Sequence, residues 1–584
     1  MTVNMDTITL TIDGTEVRTT KGKRILEAAL DAGIYIPNLC ALRDIKLPFG
    51  ACRLCQVQME GRRGTITACS ELAADGMVIR NNTPEVNGLR RKILEMMLAR
   101  HPHDCLTCWR KERCQPFDIC LRNVAVTERC VTCSKNGRCE LQKAVDFIGL
   151  DEMPFPYTPK GLPVERDNPF IVRDNNLCIL CGRCIRVDQE ILGFEAIAFN
   201  LRGARTYIGG AFGKPLIESG CTFCGSCVEV CPVGALMDRG DEWNRWPDRQ
   251  AASIRCKYAC PVMVDVPRFI RFIRERKYAE AVAVIRESVP FASVCSLICE
   301  HPCEADGACR RGDLDQPVAI RALERFAVER SSKYELSEGL KAAPSGNKIA
   351  IVGSGPAGLT TAYYLAKKGG HAVTIFERSS QPGGMMRALI PEYILPRDIL
   401  DAEIEGLNKL GIKIKTQSKM ESVDKLFEKG FDAVLLANGV TAEINDAFGA
   451  EAGEKKSRKG VFTVGNAVTG KASFIEAVAA GRKAAISIDR YLGGSGNISE
   501  TLATIADGIP RVGRIDNFAQ RQRQEMPTAK PAKRIGNFAQ VELGFSDEVG
   551  NEEAKRCMGC DLRFAVARMV AGPEGKVTKT VVRT

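Results

Sequence analysis

Cys221-Thr-Phe-Cys224-Gly-Ser-Cys227-Val-Glu-Val-Cys231-Pro232 decides how this 584-residue chain is read. Three cysteines at two-residue intervals, with a fourth just before proline, form the run that wraps a [4Fe–4S] cluster, the fourth cysteine serving a neighbouring cluster. The neighbour lies upstream at Cys178-Ile-Leu-Cys181-Gly-Arg-Cys184, so Cys231 is expected to join Cys178, Cys181 and Cys184. The matching fourth position of the upstream run is Asp188, not cysteine. The second cluster would then take Cys221, Cys224, Cys227 and the Asp188 carboxylate. Carboxylate is a harder donor than thiolate and leaves that iron more labile. The competing reading makes Asp188 a solvated loop residue beside a three-iron cluster.

Outward from this stretch, the chain holds 26 cysteines, most at similar spacings. A disulfide scaffold suits small secreted domains that cannot bury a core, whereas this length suggests about three to five domains. Met1–Thr20 is polar and strand-like, without the apolar core of a signal peptide. The longest apolar stretches, such as Ile349–Val352, are far too short to span a bilayer. The thiols are therefore expected to be reduced and iron-bound in the cytoplasm, with no membrane partner. The net charge of +11 is not gathered in a basic tail, and only ten Tyr and three Trp are present, so nucleic acid is excluded as a partner. The charge suits solubility or the docking of acidic proteins such as small ferredoxins.

The amino terminus reads as a hairpin, Thr7–Ile12 and Glu16–Thr19, then an amphipathic helix, Ile25–Ala32. Cys40, Cys52, Cys55 and Cys69 follow, with a close central pair suited to a [2Fe–2S] rhombus and Gly50 letting the loop approach the sulfides. Zinc takes four thiolates equally well, but the preceding hairpin and helix favour iron. Here the chain resembles the plant-type ferredoxin module of the large iron–sulfur subunit of respiratory complex I and of NAD-linked hydrogenases. The resemblance continues at His101-Pro-His-Asp-Cys105-Leu-Thr-Cys108 and Cys114. It implies a [4Fe–4S] cluster held by His101 with those three cysteines, His103 being the competing imidazole. The sequence then departs from that family. Cys105, Cys108 and Cys114 recur as Cys130, Cys133 and Cys139, each displaced by 25 residues, and the family's Lys-Asn-Gly-x-Cys-Glu-Leu-Gln continuation follows the second copy. Internal duplication would give a further cluster on Cys120, Cys130, Cys133 and Cys139. The alternative is one cluster drawing ligands from both copies.

From about Ala251 the character changes. Cys256, Cys260, Cys295, Cys299, Cys303 and Cys309 are interleaved with helical sequence, Val266–Arg276 and Ala279–Glu287. Strand Lys348–Val352, Gly353-Ser-Gly355-Pro356-Ala357-Gly358, helix Leu359–Lys368 and strand His371–Phe376 closed by Glu377 make a dinucleotide-binding unit. The glycines let a pyrophosphate reach the helix N-terminus, and Glu377 can bond a ribose. Gly383-Gly384-Met385, Ile390-Pro391 and Leu395-Pro396 resemble the FAD-binding half of the glutamate synthase small subunit and its relatives. The resemblance implies FAD contacts at Arg378, at Ala437 and Gly439 ending a strand, at Gly465 and Asn466, where the family has Gly-Asp, and at Ser473 opening the Ala472–Tyr491 helix. An empty Rossmann shell is the competing reading. The relatives insert a complete NAD(P) domain where only Val440–Lys459 stands here, too short for a βαβ unit. They also carry a Cys-x2-Cys pair ahead of the position of Cys256, and Cys557 and Cys560 resemble that pair displaced to the carboxyl end. The resemblance implies one cluster on Cys256, Cys309, Cys557 and Cys560 and another on Cys260, Cys299 and Cys303. The fourth ligand of the latter is Glu324, at the position of a relative's non-cysteine ligand, or Cys295.

The expected architecture is multidomain α+β and α/β. It comprises a [2Fe–2S] ferredoxin-like domain (1–80), a domain of one His/Cys and one duplicated all-cysteine [4Fe–4S] site (81–165) and a 2[4Fe–4S] ferredoxin-like domain (166–245). A helical iron–sulfur domain (246–335), a Rossmann-like FAD domain lacking its NAD(P) insertion (346–492) and an extended segment returning Cys557 and Cys560 (493–584) follow. One [2Fe–2S] cluster, six [4Fe–4S] clusters and FAD in series make a conductor, and no motif for substrate chemistry accompanies them. The resemblance implies the electron-relay subunit of an NAD(H)/ferredoxin-linked, electron-bifurcating hydrogenase. Its expected partners are an FMN/NAD-binding diaphorase-type subunit, a small [2Fe–2S] subunit, a nickel–iron hydrogenase and ferredoxin. The alternatives are a transhydrogenase or formate dehydrogenase relay, or a self-contained FAD oxidoreductase.

Overall fold

A computed structural model describes residues 6–240, 248–305, 307–331, 341–420, 422–439, 459–464, 473–503 and 508–570. The chain divides into two compact units. One comprises Met1–Arg245, Ala506–Gln520 and Cys560–Thr584, the other Trp246–Ile505 and Arg521–Gly559.

The first unit opens with strands β1 (Thr7–Ile12) and β2 (Thr15–Thr20), joined through Asp13 and Gly14. Both turn residues have positive φ, 48° and 81°, the geometry that matches the twist of a two-residue hairpin. Helix α1 (Ile25–Asp31) follows, then β3 (Gln56–Met59), β4 (Thr65–Thr67) and β5 (Val78–Arg80). The sheet runs β2-β1-β5-β3-β4, with β1 parallel to β5. Alternate residues Ile8, Leu10 and Ile12 turn inward onto Ile25, Leu26, Ala28 and Ala29 of α1, forming a core that also takes in Cys55 and Cys69. Helix α2 (Pro84–Leu98) starts on a Thr83 cap with proline at its first position. Helix α3 (Glu140–Ile148) starts directly after Cys139 and ends on Gly149 in the left-handed conformation.

Downstream, β6 (Val164–Glu165) and β7 (Ile171–Asp174) are followed by helix α4 (Arg183–Arg186), the hairpin β8 (Ile197–Asn200) and β9 (Tyr207–Gly210), helix α5 (Ser226–Val230) and β10 (Leu236–Asp238). The second sheet is antiparallel, β10-β7-β6. Helices α4 and α5 each follow a glycine at positive φ, Gly182 and Gly225, so each cysteine run folds as a tight turn feeding a short helix.

In the second unit, helices α6 (Val266–Arg274), α7 (Tyr278–Arg286), α8 (Ala292–Ile298) and α9 (Ile320–Arg330) pack around Phe269, Ile273, Val282, Ile285, Leu323 and Phe326. A parallel sheet follows: β11 (Lys348–Val352), β12 (Ala372–Phe376), β13 (Lys413–Lys415), β14 (Ala433–Leu436) and β15 (Val461–Thr463), in the order β13-β12-β11-β14-β15. Helix α10 (Pro356–Lys367) leaves the glycine turn, α11 (Arg397–Lys409) precedes β13, and α12 (Phe474–Tyr491) crosses α10. Helix α10 begins three residues earlier than expected because Pro356 fits the first helical position, where its missing N–H costs nothing. The crossing is close because Gly481 lies on the Ala357 carbonyl, 2.6 Å from where a Cβ would stand. The described part of 493–546 carries only the turn Phe518–Gln520, the helix Pro531–Arg534 and a bridge between Thr528 and Glu542. Most of the Val440–Lys459 link, together with Gly465 and Asn466, lies outside the described residues. Among the described residues no helix is long and apolar enough to cross a membrane.

Candidate metal and nucleotide sites

Among the described residues none of the 26 cysteines is in a disulfide, and no three His, Cys, Asp or Glu side chains converge on a point where a single metal ion would touch them all. The thiols form larger groups. Cys40, Cys52, Cys55 and Cys69 are all buried. The Cys40 and Cys52 thiols are hydrogen-bonded to each other, as are those of Cys55 and Cys69. Cys52 Sγ also accepts from Leu39 N at 3.4 Å, and Cys40 Sγ accepts from Cys52 N at 3.3 Å. The Cys40 bond holds the Cys52 thiol down to about 6. Backbone N–H groups aimed at sulfur favour the thiolate, the form that binds iron. The loop is anchored by Arg90 of α2, whose guanidinium donates to the carbonyls of Leu54 (3.1 Å), Gln56 (2.6 Å) and Asn81 (2.9 Å).

Cys178, Cys181, Cys184 and Cys231 line one small cavity with Asn175, Ile208 and Leu236. Cys221, Cys224 and Cys227 form a second buried group, and the thiols of all three feel the charge of Asp188. The Asp188 side chain is buried. Its Oδ2 accepts from the N–H groups of Ala196 (2.7 Å) and Ile197 (3.0 Å). Burial raises its carboxyl to about 7 against those two bonds, and Oδ1 is left for another partner.

The His/Cys region departs from the grouping that the resemblance implies. One cavity is lined by His101, Cys130, Cys133 and Cys139, with Leu177 and Gly234, and not by Cys108 or Cys114. His101 Nδ1 lies 2.8 Å from the Pro102 carbonyl, so Nδ1 carries the proton and Nε2 keeps its lone pair. Burial lowers His101 to about 4, leaving a neutral imidazole. The reason for the regrouping is tertiary. The second copy ends in Cys139 at the start of α3, where the sulfur accepts from the N–H groups of Leu141 and Gln142, whereas no such helix follows Cys114.

In the second unit, Cys260, Cys299, Cys303 and Cys309 are buried in the helical core, with Cys256 and Cys557 packed against it; Cys560 belongs to the first unit. Cys260, Cys295, Cys299, Cys303 and Glu324 are mutual electrostatic neighbours. The Cys295 thiol bonds that of Cys299 and, with His301, holds Cys299 down to about 5. Glu324 Oε2 is 2.9 Å from His301 Nε2, while Oε1 is buried without a hydrogen-bond partner. Burial would lower His301, but its bonds to Cys299 and Glu324 carry it up to about 10. Sequence reasoning missed His301, whose only signal was its place between Cys299 and Cys303.

At the nucleotide turn, Glu377 accepts from Ser354 N (3.0 Å), Ser354 Oγ (2.5 Å) and Ser379 N (2.8 Å). Ser354 Oγ in turn accepts from Gly383 N at 3.0 Å. Gly384 crosses so closely that a Cβ there would lie 2.8 Å from Gly355 Cα. A Cβ on Gly355 would project into open space at the start of α10, which is where the pyrophosphate of a dinucleotide sits. The residues present therefore fit such a group. Gly353 has φ +106°, and a Cβ there would stand 2.5 Å from the Ala437 carbonyl oxygen. Gly353→Ala is expected to cost about 1–3 kcal/mol and to weaken dinucleotide binding, read by thermal unfolding with and without added nucleotide. Arg378 is exposed, Met385 is 53% exposed, Gly439 has φ +74°, and the Ser473 hydroxyl caps α12 by accepting from Glu476 N.

Domain models match in chain order. A 2Fe-2S iron–sulfur cluster binding domain covers 5–84, and the NADH-ubiquinone oxidoreductase-G iron–sulfur binding region covers 90–120. The ferredoxin-like domain of NADH-quinone oxidoreductase subunit 3 covers 168–237, and dihydropyrimidine dehydrogenase domain II, a 4Fe-4S domain, covers 249–336. An NAD(P)-binding Rossmann-like domain covers 351–390. The chain is 32% identical to the NADP(+)-dependent formate dehydrogenase subunit beta of Moorella thermoacetica, over 54% of this chain and 47% of that protein. It is 32% identical to the NADP-reducing hydrogenase subunit HndD of Solidesulfovibrio fructosivorans, over 41% and 37%. A solved NAD+-reducing [NiFe]-hydrogenase chain is 29% identical, with a TM-score of 0.33, over 40% of this chain and 88% of that one. The chain spans between about a fifth and about half the length of the curated relatives it matches. It combines [2Fe–2S] and [4Fe–4S] domains of the type found in oxidoreductase complexes with a Rossmann-like fragment.

Proposed function

We propose that this chain is the electron-relay subunit of an NAD(H)/ferredoxin-linked oxidoreductase complex, with a nickel–iron hydrogenase as its terminal partner. The observation that carries the reading is the repeated gathering of thiols into separate buried groups along one chain, above all Cys178, Cys181, Cys184 and Cys231 around one cavity. When bound, iron–sulfur clusters supply one-electron carriers whose potentials follow ligand type, hydrogen bonds to sulfur and solvent exposure. The protein's contribution is to bury the thiols, aim N–H groups at them and exclude water. Cys40, Cys52, Cys55 and Cys69 would hold the [2Fe–2S] cluster, and Cys221, Cys224, Cys227 and Asp188 the carboxylate-bearing one. Cys260, Cys299, Cys303 and Glu324 would hold another. Glu324 is favoured over Cys295 there because its buried Oε1 has no partner of normal hydrogen-bond geometry, only the Cys295 thiol beside the carboxylate. Cys256, Cys309 and Cys557 belong to a further site. The Rossmann turn would hold FAD.

Two substitutions separate ligands from bystanders. Asp188→Cys is expected to change the spectrum of its cluster, and an unchanged spectrum would argue against carboxylate ligation. Glu324→Ala is expected to lose about four iron atoms while Cys295→Ser keeps them; the reverse result would exchange their roles.

A formate dehydrogenase relay is the second reading, favoured by the long match to the Moorella subunit. Anaerobic purification of the tagged chain from its own cells distinguishes the two. Nickel with hydrogenase subunits is expected; molybdenum or tungsten with a formate-oxidising subunit would select the second reading. Turnover of NADPH with a dye by the chain alone would contradict both.

A further inference from the structure

The regrouping around His101 leaves Cys105, Cys108, Cys114 and Cys120 outside that cavity. They stand in and just after the first of the two cysteine triplets, and that stretch is folded back on itself. Arg122 donates to the Asp104 carbonyl (3.2 Å), to Thr107 Oγ1 (2.9 Å) and to the Thr107 carbonyl (3.0 Å), tying the Cys120 side to the Cys105–Cys108 turn. Asp118 accepts from Gln115 N (3.0 Å) and Arg110 (3.1 Å), and its carbonyl accepts from Arg129 (3.1 Å), which shapes the Cys114–Cys120 arm. Cys105, Cys114 and Cys120 lie within electrostatic reach of one another. The Cys120 sulfur accepts from the N–H groups of Arg122 and Val124, two and four residues on. Cys260 of the helical core has the same pattern, with Val262 and Val264.

We infer that Cys105, Cys108, Cys114 and Cys120 hold a [4Fe–4S] cluster of their own, and that His101 serves Cys130, Cys133 and Cys139 instead. The inference rests on the reading that these thiols carry clusters at all. Four cysteines, two of them with N–H groups aimed at sulfur (Cys120 from Arg122 and Val124, Cys105 from Cys130), and the guanidinium groups of Arg110, Arg122 and Arg129 nearby suit a negatively charged cluster. The site lies close to solvent: Trp109 is 80% exposed, Phe117 100% and Ile119 86%. It would be an outer station of the relay. Cys105 adjoins both groups, since its thiol hydrogen-bonds that of Cys130. The domain match over 90–120 covers the first copy alone, so sequence similarity and spatial grouping give opposite answers for His101.

The test uses the full chain, purified anaerobically, with iron, sulfide and zinc counted and imidazole-nitrogen coupling to the reduced clusters measured by pulsed paramagnetic resonance. Cys114→Ala and Cys120→Ala are each expected to lose about four iron atoms and keep the nitrogen coupling, while Cys133→Ala loses it. Loss of the coupling in Cys114→Ala would place His101 with the first copy and overturn the proposal. So would full iron in Cys120→Ala, or zinc in place of this iron in the wild type. Cys108→Ala serves as a second probe if either variant fails to fold. A wild-type chain with no iron would sink the relay reading itself, whereas clusters elsewhere and iron short by about four would sink this inference alone.

Discussion

Arg563→Ala is expected to lower the stability of the first unit by about 3–5 kcal/mol, the usual cost of removing one partner of a buried ion pair. The Arg563 side chain is completely buried. It bonds both carboxylate oxygens of Asp238, at 3.0 and 2.8 Å, and reaches Glu229 at 3.4 Å. Burial would lower its pKa, but these two acids hold it well above the usual arginine value. Truncation removes the buried guanidinium that Asp238 and Glu229 share and leaves a void in its place. The guanidinium also lies against Gly225, where a Cβ would come within 2.8 Å of it, so it backs the turn between Cys224 and Cys227. The expected result is a lower denaturation midpoint together with faster loss of iron to a chelator. Arg563→Lys should recover part of the stability, because one ammonium cannot reproduce the two-pronged contact with Asp238. A midpoint within experimental error of the wild type would refute this account of the carboxyl-terminal return.

The second large effect is expected at Arg90. It is buried without an acidic partner and spends its donors on the carbonyls of Leu54, Gln56 and Asn81 and on Asn81 Oδ1. Burial pulls its pKa down to about 10, which keeps the guanidinium charged at neutral pH. Each carbonyl left without a donor costs about 1–3 kcal/mol, so Arg90→Ala is expected to cost about 3–5 kcal/mol. Leu54 lies between Cys52 and Cys55, so the loss should fall on the [2Fe–2S] loop. Visible circular dichroism of that cluster should fade in Arg90→Ala while the signals of the other clusters persist. Arg90→Met, which restores volume but no donor, should behave like alanine. Recovery in the methionine variant would show that packing, not hydrogen bonding, is what Arg90 provides.

The parts legible in sequence were those in which neighbouring residues carry the geometry. The Asp13-Gly14 turn, the Cys-x2-Cys runs feeding short helices, and the strand–glycine–helix at Val352–Pro356 are local, and the chain folds there as its spacing implies. Cys231 lies with Cys178 because the antiparallel pairing of β7 and β10 brings the two runs side by side. What was not legible depends on contacts between distant positions. Arg563 meets residues more than 300 positions away, and Arg90 reaches back across 36 residues to Leu54. Neither sits in a motif, since a buried arginine looks like any surface arginine until its partners are known. The His101 grouping was undecidable for a different reason. Two cysteine triplets of identical spacing offer the imidazole equal partners, and only the helix after Cys139 and the position of Gly234 distinguish them. Glu324 was legible as a candidate ligand but its partner His301 was not, since α9 alone brings them within 2.9 Å.

The claim beneath all of this is that the chain is a conductor with many stations. It is tested most directly by a stepwise anaerobic reduction of the purified full-length chain, with electrons taken up and paramagnetic clusters counted at each step. The account predicts about 26 iron atoms per chain and an uptake of about seven electrons by clusters. An iron-poor chain carrying zinc on its thiols, or an uptake of only one or two electrons, would contradict it.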